Sequence, residues 1–324
     1  MNSKTATAVA HPNIAFIKYW GNHNQELRIP SNGSISMNLG ALFTRTSVTF
    51  DESLQTDQLT LQGESNTGPA LQRVSGFLDI VRKTSSLDSF ARVESQNNFP
   101  MGTGIASSAS AFAALSLAAS VAAGLDLEEK DLSRLARRGS GSACRSVPGG
   151  FVEWAKGSTD VDSYAISFAS PEHWDLADCV AIVSQAHKAT GSNEGHRIAN
   201  TSPLQAMRIE QIPSHLKRCR DAILQRDFEV FAEITEHDCN MMHAVMMTSN
   251  PSLIYWLPPT LAIMQAVREW RKSGIPVCYT IDAGPNVHVI CEAAYQENIV
   301  SLLNEIPGVE RVMRSGPGGP ARPI

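Results

Sequence analysis

The chain has 324 residues, 43% hydrophobic and 18% charged, which predicts two domains or one domain with two lobes and excludes an intrinsically disordered chain. Twenty-seven Lys and Arg against 32 Asp and Glu leave a net charge of −5. That balance excludes the basic footprint of a nucleic-acid binder but leaves small anionic substrates open, because a cationic pocket can sit on an acidic protein. Six cysteines are scattered with no C-x-x-C pair, so the expectation is buried, reduced thiols in a cytoplasmic protein, without a zinc site or disulfide framework.

Residues 1–5 lack the long apolar stretch of a signal peptide. Strands are predicted at 5–10, 14–19, 34–39, 44–50 and 58–62, a helix at 69–82, and an alternating strand at 90–95. A glycine-containing loop then leads into 105–125, which carries no charge and is long enough to span a bilayer. Its Ala and Ser content favours a packed core helix, so no membrane partner is expected. The helix predicted at 127–138 has acidic residues in its first turn and Arg137-Arg138 at its end, matching the helix dipole. Strands follow at 150–155, 164–167 and 178–183, and a division is expected near 180, giving units 1–180 and 181–324. The second unit is predicted to hold helices at 202–212, 212–225, 227–247 and 259–273. Strands at 276–281 and 287–292 are joined by the turn Asp282-Ala283-Gly284-Pro285-Asn286. A helix at 294–304 and a strand at 309–313 complete an α+β order in both halves. The Gly- and Pro-rich tail from Gly316 is expected to be mobile.

Four segments carry candidate chemistry. In Asn98-Phe99-Pro100-Met101-Gly102-Thr103-Gly104-Ile105-Ala106-Ser107-Ser108, glycines open a helix whose N-terminal N–H groups and dipole favour an anion. Ser107 and Ser108 add hydroxyls for phosphate or Mg²⁺; a plain turn before a core helix is the alternative. In Asn13-Ile14-Ala15-Phe16-Ile17-Lys18-Tyr19-Trp20-Gly21, Lys18 reads either as a snorkelling lysine or as an ammonium beside a carboxylate or phosphate. Arg137-Arg138-Gly139-Ser140-Gly141-Ser142-Ala143-Cys144-Arg145 would converge Ser140, Ser142 and Arg145 on one anion if a helix begins there; the alternative is a solvated basic helix end. Asp282 ends an apolar strand at a turn, as a catalytic group or merely a turn cap. The Met241-to-Met247 cluster around His243 reads as a core-facing helix and not a metal box, and Trp154, Trp174, Trp256 and Trp270 read as packing residues. Asn97, Asn98 and the Ser95 region are the candidates for an adenine pocket.

Together these segments closely resemble the mevalonate diphosphate decarboxylase family of the GHMP kinase superfamily, in the expected order from residue 13 to residue 286. The resemblance implies a GHMP kinase fold: a ribosomal-protein-S5-like N-terminal domain, a ferredoxin-like α+β C-terminal domain, and an active site between them. It implies ATP and Mg²⁺ as cofactors, a phosphorylated mevalonate as substrate, and a homodimer. Pro100, Met101, Gly102, Thr103, Gly104, Ala106, Ser107 and Ser108 would hold the ATP phosphates, with Ser107 reaching Mg²⁺. Asp282 would take or orient the proton of the tertiary 3-hydroxyl, and Lys18 would position that carboxylate. Asn13, Tyr19, Asn22, Ser140, Gly141, Ser142 and Arg145 would bind substrate, with Ser140, Ser142 and Arg145 at its 5-phosphate end.

Two departures bear on the substrate. The family string Lys-Tyr-Trp-Gly-Lys is here Lys18-Tyr19-Trp20-Gly21-Asn22, and the second lysine contacts the diphosphate in the diphosphate enzymes. A Ser-rich loop, often with an arginine and Gly-Met, is here Ala189-Thr190-Gly191-Ser192-Asn193-Glu194-Gly195-His196. Both changes remove or oppose positive charge, and a charged contact is worth about 1.5–3 kcal/mol. The expectation is therefore a decarboxylase of mevalonate 5-phosphate. The alternatives are a diphosphate decarboxylase in which Arg28, Arg45 or Lys188 compensates, a mevalonate 3-kinase, and a non-catalytic nucleotide binder.

Overall fold

The structure, a computed structural model, describes residues 4–99, 107–186 and 191–324. The loop Pro100 to Ala106 therefore lies outside the described residues, as does Lys188.

Three larger sheets, beside the two-stranded hairpin of Asn22–Asn24 and Ile29–Pro30, organise the described residues. The first has six strands in the spatial order Arg322–Pro323, Lys4–Ala10, Thr44–Asp51, Phe90–Asn97, Gln58–Leu61 and Glu64–Asn66. The second runs Ala165–Ala169, Phe151–Trp154, Ser34–Asn38 and Asn13–Ile17, and the third Val277–Thr280, Val287–Glu292, Leu176–Ile182 and Arg311–Ser315. The helices are α1 (Pro69–Ser85), α2 (Ser107–Ala122), α3 (Glu129–Gly139), α4 (Ser192–Ile198), α5 (Gln205–Gln225), α6 (Phe228–Thr248), α7 (Pro258–Lys272) and α8 (Gln296–Asn304). Both halves are α+β, as expected.

The sequence pattern explains the layers. α2 is largely Ala and Ser and almost entirely buried, so its backbone can lie close against the first sheet, in a core with Val48, Val93, Phe77 and Phe112. Along Leu176–Ile182, Leu176, Val180 and Ile182 enter one core and Ala177, Cys179 and Ala181 another. This period of two is that of a strand covered on both faces. On the first face Phe231 and Ile223 of α6 and α5 meet Ile14, Phe16 and Ile35 of the second sheet in a single core. On the other, Ile263, Val267, Ile299 and Leu303 cover the sheet from α7 and α8.

Several expectations need correction. The strand expected at 178–183 runs Leu176–Ile182. The two helices expected at 202–225 are one, α5, with Pro213 inside it; proline removes one N–H rung, but packing carries the helix through. The tail is not mobile. Gly318 N–H donates to Asn38 O and Gly150 N–H to Gly318 O, each at 2.7 Å, and Arg322–Pro323 pairs with Lys4–Ala10. Its glycines serve close packing: a Cβ on Gly318 would lie 2.7 Å from Gly40 backbone atoms. The four tryptophans pack as expected, and Met242 and Met246 enter a core with Trp20. All six cysteines are buried. Among the described residues no helix is long and apolar enough to cross a membrane.

Candidate active site

Two strand ends build the centre of the site. Asn13–Ile17 stops one residue before Lys18, and Val277–Thr280 stops two before Asp282. Thr280 Oγ1 donates to Ala15 O at 3.2 Å and ties the two strands together. Lys18 Nζ then donates to Asp282 Oδ1 at 2.6 Å, although 264 residues separate them in sequence. Lys18 is 1% exposed, whereas the Asp282 side chain keeps 27% of its surface. Burial alone would raise the Asp282 carboxyl, but Lys18, His288 and Arg145 outweigh it and hold it below the usual carboxylate range. Asp282 is therefore an ionised acceptor at the wall of a cleft.

The backbone at Lys18 is held by a buried network. Lys18 N–H donates to Asp238 Oδ2 at 2.6 Å, and Lys18 O accepts from Arg208 Nη2 and from Asn32 Nδ2, both at 2.8 Å. Arg208 in α5 and Asp238 in α6 form an ion pair with both side chains fully buried. Burial opposes ionisation of Asp238, but Arg208, His215 and the Lys18 N–H hold its carboxyl low. Sequence reading missed this network. Two charged residues 30 apart, each on the apolar side of its helix, were its only signal. The turn bearing Asp282 is fixed by Asn286, whose Oδ1 accepts from Val183 N–H at 2.8 Å.

A cleft of about 300 Å³ extends from this centre and is lined by Tyr19, Ser140, Gly141, Ser142, Arg145, Ser107 and Ser108, among others. Arg145 sits in the 3-10 turn Gly141–Ser146. It donates to Asn13 Oδ1 at 3.0 and 3.2 Å and to Ser34 Oγ at 2.8 Å. Asn13 in turn donates to Ser146 Oγ at 2.8 Å. Ser140 instead faces Ser108, hydroxyl to hydroxyl at 3.2 Å. Ser140, Ser142 and Arg145 thus line one cleft, Arg145 beside Asn13 and within the field of Asp282 and Ser140 beside the start of α2. Gly141 is required where it stands, because a Cβ there would come within 2.5 Å of Tyr19 Oη.

Asn22 is turned away from the cleft. It is buried, accepts from Tyr19 Oη at 2.5 Å and donates to Gln25 Oε1 at 2.9 Å, and it does not line the cleft. Arg28 and Arg73 do line it, and neither makes an ion pair among the described residues. His196 lies stacked on Tyr19 with ring centroids 4.1 Å apart, and its Nδ1 accepts from Gly21 N–H at 3.0 Å. Its sequence signal was its place in the 189–196 loop, which departs from the family pattern. Arg73 had none beyond its place on an amphipathic helix.

Of the nucleotide residues, Ser107 and Ser108 open α2 and line the cleft. Hydroxyls at the start of a 16-residue helix fit phosphate oxygens and a hard cation. Pro100, Met101, Gly102, Thr103, Gly104 and Ala106 lie outside the described residues. Asn98, Asn97 and Ser95 are engaged locally, with the Phe43 backbone, Thr44 and Thr46. Arg137 is not a solvated helix end but is fully buried against Asp160 and the Ser163 carbonyl.

The arrangement, an ionised carboxylate with arginines and serine hydroxyls around one cleft, suits a small anionic molecule. Comparisons with known proteins agree. Residues 10–165 match the model of the diphosphomevalonate decarboxylase-like N-terminal domain, and residues 179–316 that of the mevalonate 5-diphosphate decarboxylase C-terminal domain. The chain is 36% identical to diphosphomevalonate decarboxylase of Candida albicans, over 94% of this chain and 90% of that protein. It is 34% identical to phosphomevalonate decarboxylase of Haloferax volcanii, over 98% and 96%. A solved structure of MDDEF in complex with MVAPP, AMPPCP and magnesium is 38% identical, covers 100% of this chain and 99% of its own, and superposes with a TM-score of 0.95.

Proposed function

The chain belongs to the diphosphomevalonate decarboxylase family and is an ATP-dependent decarboxylase of the mevalonate-phosphate type, and we propose that its substrate is (R)-mevalonate 5-phosphate. The products are isopentenyl phosphate, CO₂, ADP and phosphate. The observation that carries the choice is Asn22: the position that holds a cation in the family pattern is neutral and engaged by Tyr19 and Gln25. The relative named phosphomevalonate decarboxylase supports the same reading.

The residues divide the work. Asp282, held ionised by Lys18, accepts a hydrogen bond from the 3-hydroxyl and aims its oxygen at the γ-phosphorus of ATP. The 3-oxygen takes the γ-phosphoryl group as ADP leaves and its proton passes to Asp282, and the 3-oxygen thereby becomes part of a leaving group. The C–O bond then breaks as the C1–C2 bond releases CO₂, and that electron pair forms the alkene. Arg145, oriented by Asn13, binds the 1-carboxylate until it departs. Ser107 and Ser108 hold the transferring phosphoryl group, and Ser107 would bind Mg²⁺, which when present neutralises charge on the phosphate oxygens. Tyr19 and Ser140 face the 5-phosphate. The reading includes a cytoplasmic homodimer, which light scattering and cell fractionation test. For the substrate, Asn22→Lys is expected to raise kcat/KM for the 5-diphosphate relative to the 5-phosphate by about tenfold. An unchanged ratio would remove position 22 from substrate choice.

A further inference from the structure

The cations along the cleft form two sets. Lys18 is paired with Asp282, and Arg145 is bound by Asn13 and Ser34. Arg28 and Arg73 have no carboxylate partner among the described residues. Arg28 projects from the hairpin of Asn22–Asn24 and Ile29–Pro30, at a left-handed φ of 52°. Its Nε donates to Arg138 O at the end of α3, and its Nη1 to Asn193 Oδ1 of α4, both at 3.1 Å. Arg73 reaches in from α1. Its Nη2 donates to Gly139 O at 2.9 Å, its guanidinium lies 4.5 Å over the Phe112 ring, and its Nε is buried without a partner. Burial and then the charge of Arg28 push Arg73 down to about 10. Burial lowers Arg28 as well, with Arg197 and Arg138 adding to the effect against Tyr19. Two guanidiniums that repel one another, lining the same cleft as the Ser108 and Ser140 hydroxyls, are relieved by an anion.

We propose that Arg28 and Arg73 clamp the 5-phosphate of the substrate, and that Arg28 is the residue that selects one phosphate over two. The proposal rests on the substrate reading above. Arg28 enters the cleft from six residues further along the hairpin than Asn22, so its charge meets the first phosphoryl group and does not replace the second-phosphate contact whose loss Asn22 marks. It also sets the length of the cleft. Its guanidinium is fixed by groups from α3 and α4, so a substrate longer by one phosphoryl group must displace it and break both bonds. A phosphate dianion balances the two guanidiniums where it stands.

The test uses Arg28→Gly, since glycine accepts the left-handed φ without strain, and Arg28→Lys, which keeps the charge. KM and kcat are measured for the 5-phosphate, the 5-diphosphate and ATP. Arg28→Gly is expected to raise KM for the 5-phosphate by about tenfold or more and to move kcat/KM toward the 5-diphosphate, with KM for ATP unchanged. Arg28→Lys is expected to recover part of the loss. An equal loss on both substrates, or a loss extending to ATP, assigns Arg28 a merely structural role and overturns the selectivity. A wild-type enzyme that prefers the 5-diphosphate defeats the substrate reading and the selectivity with it. An unchanged KM for the better substrate in Arg28→Gly defeats the clamp whichever substrate that is.

Discussion

Replacing Lys18 by Met tests how the carboxylate of Asp282 is kept ready. Methionine matches the lysine stem in length and apolar character, so the buried channel around the side chain stays filled. What disappears is the ammonium 2.6 Å from Asp282 Oδ1. Burial, which by itself raises the Asp282 carboxyl, then faces only the weaker opposition of His288 and Arg145. An opposite charge in contact lowers a carboxylate by about 1–3 pH units. Its loss should therefore raise the Asp282 carboxyl, because burial is then opposed only by His288 and Arg145. In the wild type the acid limb of kcat/KM due to Asp282 lies below the ordinary value of about 3.9. In Lys18→Met it should move to higher pH, with a lower plateau because the carboxylate is less well positioned. The assay is the pH profile of kcat/KM, followed by ADP release. An acid limb that stays in place or moves lower would refute the argument that Lys18 sets the ionisation of Asp282.

Asp238→Asn keeps an acceptor for the Lys18 N–H but leaves Arg208 uncompensated in a fully buried site; it should cost about 3–5 kcal/mol of stability in urea unfolding. Gly141→Ala places a methyl 2.5 Å from Tyr19 Oη, which should cost about 1–3 kcal/mol and raise KM for the phosphorylated substrate while leaving KM for ATP unchanged. His243 is held by burial down at about 3, so the unfolded chain takes up a proton that the native state refuses. Stability should therefore fall as pH drops from about 6.5, by up to about 1.4 kcal/mol per pH unit. His243→Asn should show a shallower slope than the wild type in urea titrations across that window.

The motifs that carry chemistry were readable because each is local. Lys18 before Tyr19-Trp20, the Ser107-Ser108 pair opening a small-residue helix and Asp282 at a strand-ending turn all stand where their spacing placed them. Apolar runs and the turn at 282–286 located strands of the third sheet, which is covered on both faces by two cores. The features missed depend on long-range packing. Arg208 and Asp238 look like ordinary charges on amphipathic helices until α5 and α6 are pressed against the strand that ends at Lys18. Asn22 signals a lost charge in the sequence, but only the fold shows that its amide is turned to Tyr19 and that Arg28 lines the cleft. The tail misled because glycine and proline mark both mobile segments and close backbone crossings. Pairing with Asn38 and Gly150, which no local pattern announces, decides between them.

The most direct test of the account compares kcat/KM of the wild-type enzyme with Mg-ATP for (R)-mevalonate 5-phosphate and for the 5-diphosphate, following ADP and CO₂ together. The account predicts preference for the 5-phosphate, with ADP and CO₂ released one to one. Preference for the 5-diphosphate, or ADP release without CO₂, would contradict it.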